Sequence, residues 1–135
     1  KVKSKKKSYK RIFIDRSDSL QNHSKLINNN EVIKYLKSKR YKCLRLTELN
    51  LKDQISIFKN CNTIIAPHGA GLTNIAFCKK NTKVIEIIPQ DNKNFLFKRI
   101  SKINKLKYKS IYLNKIYNNK NGDMHLKLDD LKKYL

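Results

Sequence analysis

Short apolar runs alternate with amphipathic stretches along the 135 residues of the chain. The apolar runs predict five strands, over residues 11–15, 42–46, 62–66, 83–88 and 107–113. Apolar residues at helical spacing predict helices over 28–39, 47–60 and 95–104. A short helix is predicted over 72–78, after a glycine turn, and a final one over 129–135, which has acids at its start and lysines near its end. Strands and helices that alternate in this way are typical of a parallel sheet covered on both faces. The pattern therefore predicts an α/β fold, a Rossmann-like three-layer sandwich with a mostly parallel sheet.

Two of these helices are predicted from particular apolar stripes, which are expected to face the sheet. The stripe residues are Leu51, Ile55 and Phe58 in one helix and Leu96, Ile100 and Ile103 in the other. Residues 1–9 are almost entirely basic and polar, and we interpret them as a linker at the edge of a domain that covers 10–135. No apolar stretch approaches the roughly 18 residues that a membrane span needs.

Positive charge is the most prominent feature of the composition. Lys plus Arg is 32 against 10 acidic residues, a formal net charge of +22. Such an excess is typical of proteins that bind nucleic acid or anionic membranes. Only 5 of the cations are Arg, however, and Lys, Asn and Ile, which share A/T-rich codons, make up 59 of 135 residues. We therefore interpret most of the charge as compositional bias.

A basic, non-catalytic module that binds nucleic acid or an anionic membrane surface remains the alternative function. In that interpretation Tyr108, Tyr112 and Tyr117, which lie among lysines, would stack on bases. The tyrosines at 108 and 112 also fit an ordinary strand pattern, and the low Arg content argues against a specific nucleic-acid partner.

Cysteine and histidine spacing gives no sign of a metal site. Cys43, Cys61 and Cys78 are far apart and contain no C-x-x-C pair, so zinc is not expected. All three lie in or beside apolar segments, which predicts small core residues in a reducing compartment.

The most specific pattern lies between the third strand and the next helix. It reads Pro67-His68-Gly69-Ala70-Gly71-Leu72-Thr73-Asn74 and holds two of the three glycines of the chain. Glycines with free φ predict a tight turn that a ligand can approach, and the start of a helix would offer N–H groups to an anion such as a diphosphate. Asn74 replaces the third glycine of a dinucleotide fingerprint, and no Lys-Ser/Thr pair completes a P-loop. From the residues alone, a phosphate site and a simple packing turn both remain open.

The segment from His68 to Asn74 resembles the hallmark of glycosyltransferase family 61, the DUF563 group, which includes plant xylosyltransferases and animal N-acetylglucosaminyltransferases. The resemblance covers about residues 10–113 in consistent order, and its other parts are Ile12–Arg16, Asn28–Val32, Asp53–Ile55 with Phe58, Phe77, and Val84–Pro89. One departure is Ser24-Lys25, where the family usually carries a basic pair before its Asn helix.

The resemblance implies one lobe of a GT-B enzyme, the carboxyl-terminal lobe that holds a nucleotide-sugar donor. It implies transfer of a hexosyl or pentosyl group, with inversion and without a metal or other cofactor, to a hydroxyl of a glycan or glycoprotein acceptor. No D-x-D triplet or cluster of metal ligands occurs in the sequence.

An amino-terminal lobe outside these residues would then supply the acceptor contacts and the general base. The 135-residue piece is accordingly expected to bind donor without turning over alone. We expect a cytoplasmic or membrane-peripheral protein, or a Golgi or ER lumenal one if the chain comes from a eukaryotic family member.

A transfer of this kind must stabilise the departing diphosphate, and we therefore expect particular residues to contact it. Arg16, at the end of the first strand, would grip the diphosphate because a guanidinium can bind it in two places. The backbone N–H groups of Gly69, Ala70, Gly71 and Leu72 would add further donors that stabilise the leaving group.

Five more residues are candidates with two interpretations each. His68 is the candidate catalytic residue and could instead contact the phosphate or the sugar. Asn74 either fixes the turn or binds donor, and Glu86 either accepts hydrogen bonds from ribose hydroxyls or is the polar end of a strand. Asn28 and Gln54 are secondary candidates, each a helix cap or scaffold contact as much as a donor contact.

Overall fold

The computed structural model describes residues 7–17, 25–114 and 123–135. Five strands form one sheet in the order β2-β1-β3-β4-β5, and every neighbouring pair is parallel. The strands are β1 (Arg11–Ile14), β2 (Lys42–Leu44), β3 (Thr63–Pro67), β4 (Lys83–Pro89) and β5 (Lys107–Leu113). This arrangement confirms the predicted Rossmann-like α/β fold.

Helical segments connect the strands and cover the sheet. The α-helices are α1 (Asn29–Ser38), α2 (Leu51–Asn60), α3 (Leu96–Ile103) and α4 (Leu128–Lys132). Two 3₁₀ helices complete the set, η1 (Leu46–Glu48) and η2 (Ala70–Phe77). The helix predicted over 72–78 is therefore a 3₁₀ helix that begins two residues earlier.

Alternation along the strands divides the core between the two faces of the sheet. One face packs against α2, η2 and α3 through Ile12, Ile14, Ile64, Ala66 and Val84. The other face packs against α1 and the segment 124–131 through Phe13, Ile65, Ile85, Ile87 and Ile111. The central strands β3 and β4 are buried on both faces, which explains why they are apolar at nearly every position.

The strand order places a topological switch point between β1 and β3. From β1 the chain moves outward to β2, then returns across β1 to β3 and continues outward on the other side. In a doubly wound sheet the connections on the two sides of such a point separate, which opens a crevice beyond the carboxyl ends of the two strands. Arg16 follows β1 and His68 follows β3, so both residues lie at this crevice.

The stripe predicted for the helix over 47–60 is only partly correct. The α-helix begins at Leu51 because Asn50 caps it, accepting a hydrogen bond of 2.8 Å from the Asp53 amide. Leu51 lies in the first turn and is 66% exposed. Phe58 is buried as predicted, and its neighbour Ile57 is buried with it.

The stripe predicted for α3 is rotated relative to the core. Leu96 and Ile103 are 44% and 78% exposed, while Phe97 and Ser101 face the sheet. The Phe97 ring packs edge-on against the His68 ring with centroids 5.3 Å apart. Of the predicted stripe, Ile100 is partly buried against the core as expected, whereas Leu96 and Ile103 lie at the surface.

The first described residues also pack against the domain. Lys7 pairs with Asp53 at 3.4 Å, and Tyr9 packs against the core beneath α2. The domain boundary predicted at residue 10 stays a prediction.

Cys61 and Cys78 are buried and Cys43 is half-buried, all three as free thiols, which confirms their predicted packing. Among the described residues, no helix combines the length and apolar character that crossing a bilayer requires.

Candidate functional site

The crevice between β1 and β3 contains a small depression with a cavity volume of about 90 Å³. Its lining residues are Arg16, Ser17, Lys25, Leu26, Asn29 and Pro67. The lining brings together two cations, a hydroxyl and an amide, with no carboxylate among the lining residues. That chemistry suits an anion with several oxygen atoms, such as a phosphate or diphosphate.

Arg16 ties the two strands together at the edge of the depression. Its Nη1 donates a hydrogen bond to the backbone carbonyl of His68. The same guanidinium lies against Gly69, where an added Cβ would overlap its terminal atoms. Gly69 has an extended backbone with φ 165°, a conformation open to any residue. Glycine is therefore required here for the space it leaves to Arg16, and the expectation that it supplies an unusual φ is wrong.

Gly71 is required for a second close approach. A Cβ at this position would lie 2.8 Å from Cδ1 of Leu46, the first residue of η1. The Leu72 amide donates to the Gly69 carbonyl at 3.0 Å, and the Leu72 side chain is buried. Because 3₁₀ winding engages an amide one residue earlier than an α-helix does, the role of Leu72 as a diphosphate donor is not supported.

Asp15 organises the wall behind the depression. Its Oδ1 accepts hydrogen bonds of 2.9 Å from the Ser17 amide and from Asn29, and its Oδ2 pairs with Arg45 at 3.1 Å. Burial raises the pKa of the Asp15 carboxyl, but the hydrogen bonds from Ser17, Asn29 and Arg45 outweigh it and hold the pKa below its usual value. The carboxylate is thus anchored as an anion and fixes Asn29 at the cavity wall.

Glu86 is the buried central residue of a polar trio on the α3 side of the sheet, and its partners His68 and Tyr108 are partly buried. It is 1% exposed, and its Oε2 lies 2.6 Å from Nδ1 of His68. Its Oε1 accepts a hydrogen bond of 2.5 Å from the Tyr108 hydroxyl. Burial and this bond to Glu86 both raise the pKa of Tyr108, so the phenol remains a proton donor. Since one protein donor bonds to each oxygen and Glu86 is almost fully buried, the geometry favours a role within the sheet, and contact with ribose hydroxyls stays a prediction.

Gln54 and Asn74 form a scaffold contact. Gln54 donates to the carbonyls of Leu46 and Leu49 at 2.9 and 3.1 Å, and its Oε1 accepts a 3.0 Å hydrogen bond from Asn74. The side chains of Gln54 and Asn74 thus connect α2, η1 and η2. Of the interpretations left open above, the geometry favours fixation of the turn for Asn74 and a scaffold role for Gln54.

Asn28 likewise serves the fold. It precedes α1 but makes no side-chain cap to that helix. Its amide nitrogen donates to the Leu126 carbonyl at 2.7 Å, and its Oδ1 accepts from the Leu126 amide at 3.1 Å. Met124 pairs with Leu26 in an adjacent parallel bridge. These contacts attach the carboxyl-terminal segment to the start of α1, and Asn28 does not line the depression.

Several site residues lie outside the set predicted from sequence. The sequence marks Lys25 only as part of the Ser24-Lys25 pair, and it gives no sign that Asn29 lies at the site. Tyr108 is paired with Val84 in the sheet, two residues before Glu86 on the same face, and its hydroxyl reaches the Glu86 carboxylate from there. Position at the end of a strand is the sequence signal that could have added Asp15 and Ser17.

A second depression, with a cavity volume of about 440 Å³, lies at the opposite end of the sheet. Its lining is Arg11, Tyr35, Lys39, Tyr41, Thr63, Lys83 and Leu135.

The described residues do not form the row of tyrosines that would stack on bases, because the Tyr108 hydroxyl bonds to Glu86. Tyr112 is 47% exposed, and Tyr117 lies outside the described residues.

The comparison with protein families bears on the choice between a glycosyltransferase and a basic module that binds nucleic acid or membrane. The family model of glycosyltransferase 61 matches residues 1–85, more than half of the chain. The chain belongs to glycosyltransferase family 61. The matched region includes Arg16, Lys25 and the segment from His68 to Asn74, whereas Glu86 and Tyr108 lie beyond it.

Two plant proteins illustrate the relationship. A beta-1,2-xylosyltransferase of Arabidopsis thaliana is 35% identical over 68 residues, which are 50% of this chain and 13% of that protein. The beta-1,2-xylosyltransferase RCN11 of Oryza sativa subsp. japonica is 30% identical over 117 residues, 76% of this chain and 22% of that protein. The chain thus matches about a fifth or less of the length of these family 61 relatives. Their names do not support the cytoplasmic location predicted above.

Proposed function

We propose that this family 61 chain is the donor-binding part of a glycosyltransferase, which transfers a sugar from a nucleoside-diphosphate donor to a hydroxyl of a glycan or protein. The observation that carries the proposal is the meeting of Arg16 and Lys25 in one depression at the switch point between β1 and β3. Parallel sheets of this kind bind their ligands at that place.

The two cations would act mainly on the leaving group. When the bond between the sugar and the diphosphate breaks, negative charge develops on the diphosphate oxygens. Cations held in place beforehand stabilise that charge without reorganising during the reaction. The bond from Arg16 to the His68 carbonyl and the close packing of Gly69 hold the guanidinium at the edge of the depression. Arg16 then binds the diphosphate, and Lys25 adds a second positive charge.

The sugar is proposed from the relatives. Both plant relatives are xylosyltransferases, so UDP-xylose is the first donor to test. We propose that Arg16 and Lys25 take the place of a metal ion at the diphosphate, in line with the family resemblance. Parts of the enzyme outside this chain would provide a second lobe and the main contacts to the glycan or glycoprotein acceptor.

Calorimetric titration of the chain with UDP-xylose, in buffer containing EDTA, tests the proposal. Arg16→Ala removes a charge-assisted contact and is expected to weaken binding by roughly 10- to 100-fold. The matched control is Arg11→Ala, which removes the same charge from the opposite end of β1 and loses one exposed hydrogen bond to the Lys39 carbonyl.

The wild-type chain and Arg11→Ala are expected to bind UDP-xylose equally well. UDP-glucose and UDP-N-acetylglucosamine, titrated in parallel, report the sugar preference. Absence of binding to all three, or equal weakening by both arginine variants, would contradict the donor-binding role of the crevice. Binding that disappears in EDTA would contradict the metal-free interpretation.

A further inference from the structure

The Glu86 carboxylate is a charged group in the interior whose only described partners are a histidine and a tyrosine. It lies within β4, between the sheet and the layer formed by η2 and α3. Burying a carboxylate is costly unless hydrogen bonds compensate it, and here one donor bonds to each oxygen. The two hydrogen bonds therefore compensate the burial of the Glu86 carboxylate. One of them also determines where the proton lies on the His68 ring.

The contact with Glu86 determines which ring nitrogen of His68 carries the proton. Nδ1 lies 2.6 Å from an acceptor-only oxygen, so this nitrogen is the N–H donor. In the neutral ring, Nε2 is then an unprotonated acceptor. The side chain is 15% exposed, which leaves the imidazole reachable at the end of β3.

We propose that His68 is the general base of the transfer reaction and that Glu86 and Tyr108 are positioning residues for it. This inference rests on the proposed function, and it replaces the expectation that a lobe outside these residues supplies the general base. Nε2 of His68 takes the proton of the acceptor hydroxyl while that oxygen forms a bond to the anomeric carbon of the sugar. The bond from this carbon to the diphosphate breaks, and its electron pair leaves with the nucleoside diphosphate. Glu86 stabilises the resulting imidazolium, which later releases its proton to water.

The placement of the groups fits a displacement with inversion. Such a reaction needs the base and the leaving group on opposite sides of the anomeric carbon. The depression that holds Arg16 and Lys25 borders α1, through Asn29. The His68 ring packs against Phe97 of α3, on the other face of the sheet. A sugar that crosses the end of β3 would lie between them.

Tyr108 completes the arrangement. Its hydroxyl occupies the second oxygen of Glu86, so the carboxylate is fixed between two donors and cannot rotate away from His68 without breaking a bond. The raised pKa of Tyr108 keeps this donor protonated. Phe97 packs against the imidazole in a T-shaped contact, with the ring centroids 5.3 Å apart.

Nitrogen NMR of the intact chain tests the positioning step directly, because ¹⁵N shifts distinguish protonated from unprotonated ring nitrogens. Neutral wild-type His68 is expected to show Nδ1 protonated and Nε2 unprotonated. Glu86→Met removes the acceptor oxygen and should abolish this preference and give averaged shifts, with circular dichroism confirming that the variant is folded. A wild-type ring protonated on Nε2, or a tautomer that Glu86→Met leaves unchanged, would overturn the proposal.

Breakdown of UDP-xylose with water as the acceptor tests the base itself. Transfer to a glycan needs the second lobe, but hydrolysis needs only water as the acceptor. Wild-type chain is therefore expected to release UDP above the buffer rate, and His68→Gln should remove at least nine-tenths of that excess (about tenfold) without changing donor affinity. Tyr108→Phe should slow the release several-fold, whereas Tyr112→Phe on the same strand should not. Equal release by wild type and His68→Gln, including no excess from either, would overturn the proposal.

The two levels fail in distinguishable ways. If the wild-type chain does not bind UDP-xylose, the donor-binding function is contradicted. The NMR result on His68 then decides the positioning role of Glu86 by itself. Normal binding together with a tautomer independent of Glu86 would contradict only the inference about His68.

Discussion

The guanidinium of Arg16 occupies the space that a side chain on Gly69 would need. The two residues belong to different strand ends, 53 positions apart in the sequence numbering, and meet because β1 and β3 are neighbours. The glycine in this turn is thus explained by the position of a cation. Alanine substitutions at Gly69 and Gly71 therefore test whether the donor binds beside Arg16.

Gly69→Ala is expected to weaken UDP-xylose binding by about tenfold, because the added carbon displaces the Arg16 guanidinium from the crevice. Stability should change little, since the end of a long side chain can move. Titration calorimetry and thermal unfolding measure the two effects.

Gly71→Ala is the matched control. Its added carbon meets Leu46 rather than Arg16, so it should lower the free energy of unfolding by about 1–3 kcal/mol and leave the donor affinity of the folded chain nearly unchanged. If both variants lose donor affinity equally, Arg16 is not the group through which Gly69 acts.

Gln54→Leu is expected to lower the free energy of unfolding by about 1–3 kcal/mol, because it leaves the carbonyls of Leu46 and Leu49 without their side-chain donor. Asn74→Ala should cost less, and the double variant should cost less than the sum, since the two side chains bond to each other. Urea unfolding measures all three. The control is Asn60→Ala, an exposed residue at the end of the same helix; strict additivity of the pair would contradict the scaffold role.

Asn28→Ala should loosen the carboxyl-terminal segment. The variant removes both hydrogen bonds to the Leu126 backbone, so amide exchange at Leu126 is expected to accelerate about tenfold or more, while exchange in β4 stays slow. Hydrogen–deuterium exchange measures this, with exposed Asn94→Ala as the control. Unchanged exchange at Leu126, or a loss of donor affinity without any change in exchange, would contradict the structural role of Asn28.

Asp15→Asn should reduce stability in a pH-dependent way. The pKa of Asp15 is lower in the folded chain than its ordinary value of 3.8, so the ionised form contributes stability above that value. This contribution is lost as the pH falls from the ordinary value through the lower folded pKa. The difference in Tm between wild type and variant should thus be largest near neutral pH and shrink in acid. Exposed Asp129→Asn should show no such difference, and a constant gap for Asp15→Asn would contradict the assignment.

The sequence was sufficient for the fold because its strongest signals are local. The apolar runs of β3 and β4 reflect burial on both faces, and all five predicted strands are present. The stripe of α3 misled because periodicity shows which face of a helix is apolar, not which face packs on the sheet. Contact of Phe97 with His68 accompanies an orientation that leaves Leu96 outside.

The candidate site was predicted where residues lie next to one another in the chain and missed where they meet across strands. Arg16 and the glycine turn could be identified from their positions at strand ends. The role of Glu86 could not, because it depends on the register that brings Tyr108 beside it and on the turn that places His68 above it. Lys25 could not be assigned to the depression before the strand order was known.

The central claim is that a nucleoside diphosphate sugar binds at the carboxyl ends of β1 and β3. The most direct measurement is a titration of ¹⁵N-labelled chain with UDP-xylose, followed by amide chemical shifts. The largest changes are expected at Arg16, Ser17, Lys25 and Gly69, and they should vanish in Arg16→Ala. Changes concentrated instead around Arg11, Lys39 and Lys83, at the opposite end of the sheet, would contradict the claim.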